Sequence, residues 1–158
     1  MIAQDMVTVR LTPPFKAIVV ASPDYLSERG RPKTIGDLKN HNCIAFRLIK
    51  SGALYRWELH NDGREVAVEA SGNTVINDPM FARDLALAGV GLALVMEPVV
   101  RGDIAAGRLT QVLPKSANEW PGLFLYYPKR ASMAPKLRAF IETAREVVRK
   151  ANLRVKEK

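Results

Sequence analysis

The run Asn77-Asp78-Pro79-Met80-Phe81-Ala82-Arg83-Asp84-Leu85-Ala86-Leu87-Ala88-Gly89-Val90-Gly91-Leu92-Ala93-Leu94-Val95 holds a helix start, a helix stop and a buried strand. Asp78 carries the short carboxylate that accepts from the free N–H groups of a first turn. Pro79 suits the first helical position, where its missing N–H would have had no partner. A helix is predicted over 80–88, with Gly89 as its stop. Leu92-Ala93-Leu94-Val95 is too short and too uniformly apolar for an amphipathic helix, so it reads as a strand covered on both faces. A helix that feeds directly into a buried strand belongs to an α/β protein.

The pattern repeats outward from this run. Toward the C-terminus a helix over 97–106 with Gly107 as its cap precedes a strand over 109–113. A strand over 123–127 then precedes a helix capped by Ser132, with Pro135 in its first turn. Leu137, Phe140, Ile141, Ala144, Val147 and Val148 recur at three- and four-residue steps and give that helix one apolar stripe. Toward the N-terminus, 6–11 alternates as a strand, and 17–21 is a continuous apolar strand. Ser22-Pro23 then opens a short helix that Gly30 ends, and Thr34 with Asp37 opens another over 34–39. In the middle, 43–47 reads as a strand, and 55–60 and 65–70 form a hairpin around Asn61-Asp62-Gly63, because an Asp-Gly pair accepts the positive φ angles of a tight turn.

With 158 residues, 47 % apolar and 25 % charged, the chain can bury a core, which excludes disordered, collagen-like and disulfide-scaffold classes. Its net charge of +8 invites a nucleic-acid reading. The excess is local: residues 129–158 hold ten basic and three acidic side chains, and Glu146 stands four residues before Lys150 as a helical ion pair. A solvated helix face and a basic tail account for it without a nucleic acid. Cys43 is the single cysteine, so no disulfide framework or thiolate cluster is available. The first residues have neither a basic leader region nor a long apolar run, so a cytoplasmic location and no membrane partner are expected.

The search for catalytic chemistry yields no site. Gly89-Val90-Gly91 follows a helix and precedes a strand, the reverse of a dinucleotide turn, so it reads as a helix stop and tight connection. His41 and Cys43 lack a third group to orient the imidazole, and two histidines without a carboxylate cluster make no metal site. No catalytic residue, metal or cofactor is therefore expected. Small-molecule binding fares better. Phe46-Arg47-Leu48 runs from a strand into a loop that carries Lys50, Ser51 and Gly52, an edge suited to an anion. Asn77-Asp78 opens a helix whose N–H groups favour an anion, although Asp78 can occupy them itself. Sequence alone does not bring these two segments together.

The order of segments carries a further signal. It runs from Val9-Arg10-Leu11 through Ala17-Ile18-Val19-Val20-Ala21-Ser22-Pro23-Asp24-Tyr25-Leu26 to His41-Asn42-Cys43-Ile44. It continues with Tyr55-Arg56-Trp57-Glu58, Asn77-Asp78, Leu87-Ala88-Gly89-Val90-Gly91-Leu92-Ala93, Gly107-Arg108-Leu109 and Leu125-Tyr126-Tyr127-Pro128. This succession resembles the effector-binding domain of LysR-type transcriptional regulators over about residues 6–148.

The resemblance implies an α/β fold like that of type 2 periplasmic binding proteins, with two lobes joined by crossover strands and an effector in the cleft. It places lobe two at 19–95 and an incomplete lobe one at 1–18 and 96–158. It also implies that the winged helix-turn-helix, the linker helix and the opening strands and helix of lobe one are expected to fall outside these residues. That leaves an exposed sheet edge and unmatched core in lobe one, which implies association with another copy or a poorly ordered remnant. Family members sense small metabolites, often carboxylates or aromatics, and act as dimers or tetramers; DNA is contacted only through the absent domain. The implied effector contacts are Phe46, Arg47, Leu48, Ser51, Asn77 and Asp78, with Arg47 as the partner of a carboxylate. A regulatory domain is not an enzyme. The other two readings are a transport-type solute-binding protein, which the short length and missing leader oppose, and an unrecognised enzyme, which the missing constellation opposes.

Overall fold

A computed structural model of the chain describes residues 5–129 and 134–151. It divides into two compact units, Lys16–Glu119 and a smaller one of Met1–Phe15 with Trp120–Lys158. The strand and helix that follow residue 95 lie in the larger unit with residues 16–21 of the apolar strand.

The centre of the larger unit is an antiparallel sheet in the order β7-β2-β8, with β9 also on β2. Its strands are β2 (Phe15–Ala21), β7 (Ala93–Met96), β8 (Thr110–Val112) and β9 (Asn118–Trp120). Val19 pairs with Leu94 on one side and Val112 on the other, so β2 is a central strand. Its continuous apolar run is explained by the pleat, because alternate side chains enter two different cores. Val19 and Ala21 join Tyr25, Leu38, Trp57, Leu59 and Leu92. Ile18 and Val20 join Ala82, Ala86, Ala93, Val95 and Val100 on the opposite face.

Helices α2 (Pro79–Leu87) and α3 (Glu97–Ala105) supply the second core. The first is supplied by α1 (Pro23–Arg29), the 3-10 turn Ile35–Asn40 and the hairpin of β4 (Trp57–Asn61) with β5 (Arg64–Val68). The caps follow the sequence. Ser22 Oγ accepts from the Tyr25 N–H, and the Asp37 carboxylate accepts from the N–H groups of Lys33 and Thr34, which holds it below the usual carboxylate range. Asp62 and Gly63 take φ values of 49° and 79°, so the hairpin turn has the mirror-image geometry that suits strand twist. The strand expected over 43–47 is shorter: β3 is Ala45–Phe46, and Cys43 makes an isolated bridge to Leu92.

The smaller unit holds an antiparallel pair, β1 (Met6–Arg10) with β10 (Phe124–Pro128), and α4 (Pro135–Lys150). Pro135 stands in the first turn of α4, as predicted, and Lys150 Nζ meets Glu146 Oε1 at 2.8 Å. The expected Ser132 cap lies outside the described residues.

Gly89 has a φ of 75° just past the end of α2, and Gly91 packs its Cα against the Asn42 backbone. A Cβ on Gly91 would strike the Asn42 carbonyl oxygen, which already accepts from the Leu92 N–H at 2.9 Å. Gly91→Ala is therefore expected to destabilise the chain by about 2–3 kcal/mol in urea denaturation. Gly102→Ala is the control. Gly102 lies inside α3 with open space where its Cβ would stand, so the change should stabilise by about 0.5–1 kcal/mol.

Candidate functional site

The two segments that the sequence left apart are neighbours. β3 pairs in parallel with β6 (Val75–Ile76), with Ala45 beside Val75 and Phe46 beside Ile76. The Arg47 N–H donates to the Ile76 carbonyl at 2.7 Å. Arg47 and Asn77-Asp78 thus leave the carboxyl ends of adjacent parallel strands, the position where open α/β sheets bind ligands.

The loop after β3 is a small closed turn. The Tyr55 N–H donates to the Phe46 carbonyl at 2.7 Å, the Leu48 N–H to the Ala53 carbonyl at 2.9 Å, and Gly52 takes a φ of 69°. Arg47 Nη1 donates to the Gly52 carbonyl at 2.8 Å, which fixes the guanidinium to its own loop while leaving further donors in the fork. Ser51 Oγ accepts from the Ala53 N–H at 3.3 Å. Arg47, Leu48 and Ser51 are exposed and Phe46 is half-buried.

Across from this loop, Asp78 Oδ1 accepts from the Met80 N–H at 2.9 Å. The carboxylate caps α2 as the sequence predicted and meets the N–H groups that an anionic ligand would otherwise use. Asn77 is exposed beside it. Sequence reasoning missed the apolar neighbours of these residues: Ile49 is exposed at the loop tip, and Met80 and Phe81 are exposed on the first turn of α2. The signal was present, because the buried positions of α2 are Ala82 and Ala86, which turns 80 and 81 outward.

Two polar clusters hold the site's elements in place. Asn42 Nδ2 donates to the Val90 carbonyl at 2.7 Å, and its Oδ1 accepts from the Asn73 N–H at 2.9 Å. The Asn42 N–H in turn donates to the Tyr25 hydroxyl, which lies 3.2 Å from His41 Nδ1. Burial lowers the His41 pKa and raises that of Tyr25. The second cluster is Asp103, 2 % exposed, which receives Arg83 from α2 at 2.7 and 3.0 Å and Arg108 at 2.6 and 3.1 Å. Cys43 is buried with its thiol pushed up to about 11 and directed at the Leu38 carbonyl, so it is a core residue and not a thiolate nucleophile. Among the described residues no group of three or more His, Cys, Asp or Glu side chains could hold a metal ion, and no helix is long and apolar enough to cross a membrane.

Comparison with known proteins gives a consistent set of likenesses. A family model described as the LysR substrate binding domain matches residues 4–149. A "Putative transcriptional regulator" of Pseudomonas aeruginosa is 35 % identical over 144 residues, which is 91 % of this chain and 47 % of that protein. The "Putative LysR family substrate binding domain-containing protein YagP" of Escherichia coli is 35 % identical over 106 residues, 67 % of this chain and 78 % of that protein. Among solved structures, the regulatory domain of CrgA, a LysR-type transcriptional regulator from Neisseria meningitidis, superposes with a TM-score of 0.75 at 23 % identity, covering 90 % of this chain and 69 % of that one. The chain spans about half the length of the first curated relatives it matches.

Proposed function

The chain belongs to the LysR substrate-binding domain family, with the fold of LysR regulatory domains, and from that premise we propose that it senses a small carboxylate-bearing metabolite at the β3 and β6 strand ends. The observation that supports this reading is the parallel pairing of β3 with β6, which sets Arg47 and Asn77-Asp78 on adjacent strand ends. Arg47 is the charge partner of the carboxylate. Phe46 and Leu48 contribute apolar contact beside it, and Ser51, Asn77 and Asp78 supply polar contacts. Because Asp78 already caps α2, the anion is drawn to the guanidinium and not to the helix terminus.

In this reading Lys16–Glu119 is lobe two and the smaller unit is part of lobe one. The complete regulator is a cytoplasmic dimer or tetramer that reaches DNA through a winged helix-turn-helix outside this chain. Effector binding shifts the population between assemblies, so the domain works by binding and not by turnover.

The test is a thermal-shift screen of metabolites followed by calorimetry of the best carboxylate. A ligand that binds only the folded chain raises the melting temperature with the logarithm of its excess over Kd. Arg47→Ala is expected to weaken that ligand by about tenfold or more, the scale of a lost charge-assisted hydrogen bond. Equal affinity for the variant would remove Arg47 from the site.

A further inference from the structure

The parallel strands β3 and β6 hold only two residues each, and the hydrogen bonds along them are unevenly stepped. The N–H groups of Cys43, Ala45 and Arg47 donate to the carbonyls of Ser71, Thr74 and Ile76 at 2.9, 3.0 and 2.7 Å. Successive donors are two residues apart, whereas the acceptors are three and then two residues apart. An extra residue is therefore taken up between Ser71 and Thr74, a bulge of the kind that re-aims the side chains beyond it. Its spare donor is the Asn73 N–H, which Asn42 Oδ1 accepts at 2.9 Å. Gly72 makes room for this contact, because a Cβ there would strike Asn42 Oδ1 and the Cys43 carbonyl.

The extra residue decides what stands beside Arg47. An even step from Ser71 would carry the Ala45 N–H to the Asn73 carbonyl and the Arg47 N–H to the Val75 carbonyl. Ile76 would then stand beside Arg47 in place of Asn77, and every side chain of β6 would change face. Burial opposes that slip weakly, since Val75 is 45 % exposed and Ile76 only half-buried. Asn42 is a firm anchor against it. Its Nδ2 donates to the Val90 carbonyl at 2.7 Å, its carbonyl accepts from the Leu92 N–H at 2.9 Å, and its N–H donates to the buried Tyr25 hydroxyl.

We propose that Asn42 and the Gly72-Asn73 bulge fix the register of β3 against β6, and so select the Asn77 amide as the neighbour of the Arg47 guanidinium at the effector site. Asn42 is a positioning residue. It stands up to about 17 Å of extended chain before Arg47 and acts through the two strands, not on the ligand. The proposal rests on the effector reading for what the strand ends do, while the register has a readout that needs no effector.

The experiment uses the 158-residue chain with its Asn42→Ala and Asn42→Asp variants, and hexanoate as the probe carboxylate. Asn42→Ala removes the acceptor of the Asn73 N–H. Amide exchange at Ala45 and Arg47 should rise by about tenfold or more, while exchange across the β2–β7 pair stays within about threefold of the parent. Asn42→Asp keeps an acceptor for Asn73 and loses the donor to Val90. It should therefore lose stability to urea and still return exchange at Ala45 and Arg47 to within about threefold of the parent, an order that a general stabilising role would not produce. In magnetic-resonance titrations hexanoate should shift the Arg47 and Asn77 amide signals of the parent. Its Kd should rise by about tenfold in Asn42→Ala and recover in Asn42→Asp.

Unchanged exchange at Ala45 and Arg47 in Asn42→Ala, or a rise shared equally by the β2–β7 pair, would overturn the proposal. So would a loss that Asn42→Asp does not rescue while folded by circular dichroism, or equal hexanoate affinity in the parent and Asn42→Ala. A parent chain whose Arg47 and Asn77 signals ignore hexanoate would count against the effector reading, and the register would still stand or fall on the exchange results.

Discussion

Replacing Trp57 with Ala is expected to cost about 3–5 kcal/mol, the range for removing a large aromatic side chain from a packed core. Trp57 is 1 % exposed at the start of β4 and packs in the cluster formed by Val19, Leu38, Leu59 and Leu92. Its register partner across the hairpin is Val68, which is only half-buried, so β5 gains its cover largely through β4. A two-stranded hairpin is marginal by itself in water, and Trp57 and Leu59 are the two side chains of β4 that anchor it to the sheet. The loss should therefore appear locally as well as globally. Amide exchange over 57–68 should rise first, and the urea midpoint followed by far-ultraviolet circular dichroism should fall with it. Trp120 provides the contrast: it is half-buried and meets Phe15 at a ring-centroid distance of 6.1 Å. Trp120→Ala should cost about 1–2 kcal/mol, because less apolar area leaves water on folding. Equal costs at the two tryptophans would contradict the placement of the core on β4.

Local chemistry made much of this architecture legible. Asp78-Pro79 opens α2, Ser22-Pro23 opens α1, and Asp62-Gly63 turns the hairpin, because each rests on a constraint that acts within a few residues. The apolar run of β2 declared a strand covered on both faces, and two separate cores do cover it. The ordered succession of such segments was enough to identify the family. The candidate site was legible only in halves. Arg47 and Asn77-Asp78 were each visible as a strand end or helix entry, but β6 has two residues and carries no periodicity, so nothing local announced its parallel pairing with β3. The antiparallel pairing of β7 and β8 with β2 was equally silent, because long-range pairing leaves no mark on either partner's composition. Asp103 was the deepest omission. In sequence it is one more charged residue in an amphipathic helix, and only the folded chain brings Arg83 and Arg108 to it.

Removing that carboxylate is the other large effect expected. Asp103 is 2 % exposed, and its two oxygens accept from two guanidinium groups, so α2, the end of α3 and the turn after it meet at one charge. The hydrogen bonds from Arg83 hold its pKa below the ordinary carboxylate value, and those from Arg108 add to the effect. Asp103→Ala leaves a small void, strips Arg108 of its acceptor and leaves Arg83 only its exposed contact with Asp84 at 3.0 Å. Because Arg83 and Arg108 side chains are 28 % and 61 % exposed, water reclaims part of each charge, and the cost should be about 2–4 kcal/mol, short of a fully buried pair. Arg108→Ala should cost at most about 1 kcal/mol, since Arg83 still satisfies both oxygens. Arg83→Ala should cost more than Arg108→Ala, because it removes the bidentate partner and the tie to α2. The pH dependence has a definite sign. A carboxylate whose pKa is depressed on folding contributes stability that is full above its unfolded value, near 4, and is lost as pH falls through the folded value. The stability gap between the parent chain and Asp103→Asn should therefore be constant near neutral pH and close progressively below about pH 4. A gap of the same size at pH 3 and pH 7 would mean that packing around Asp103, and not its charge, holds α2 against α3.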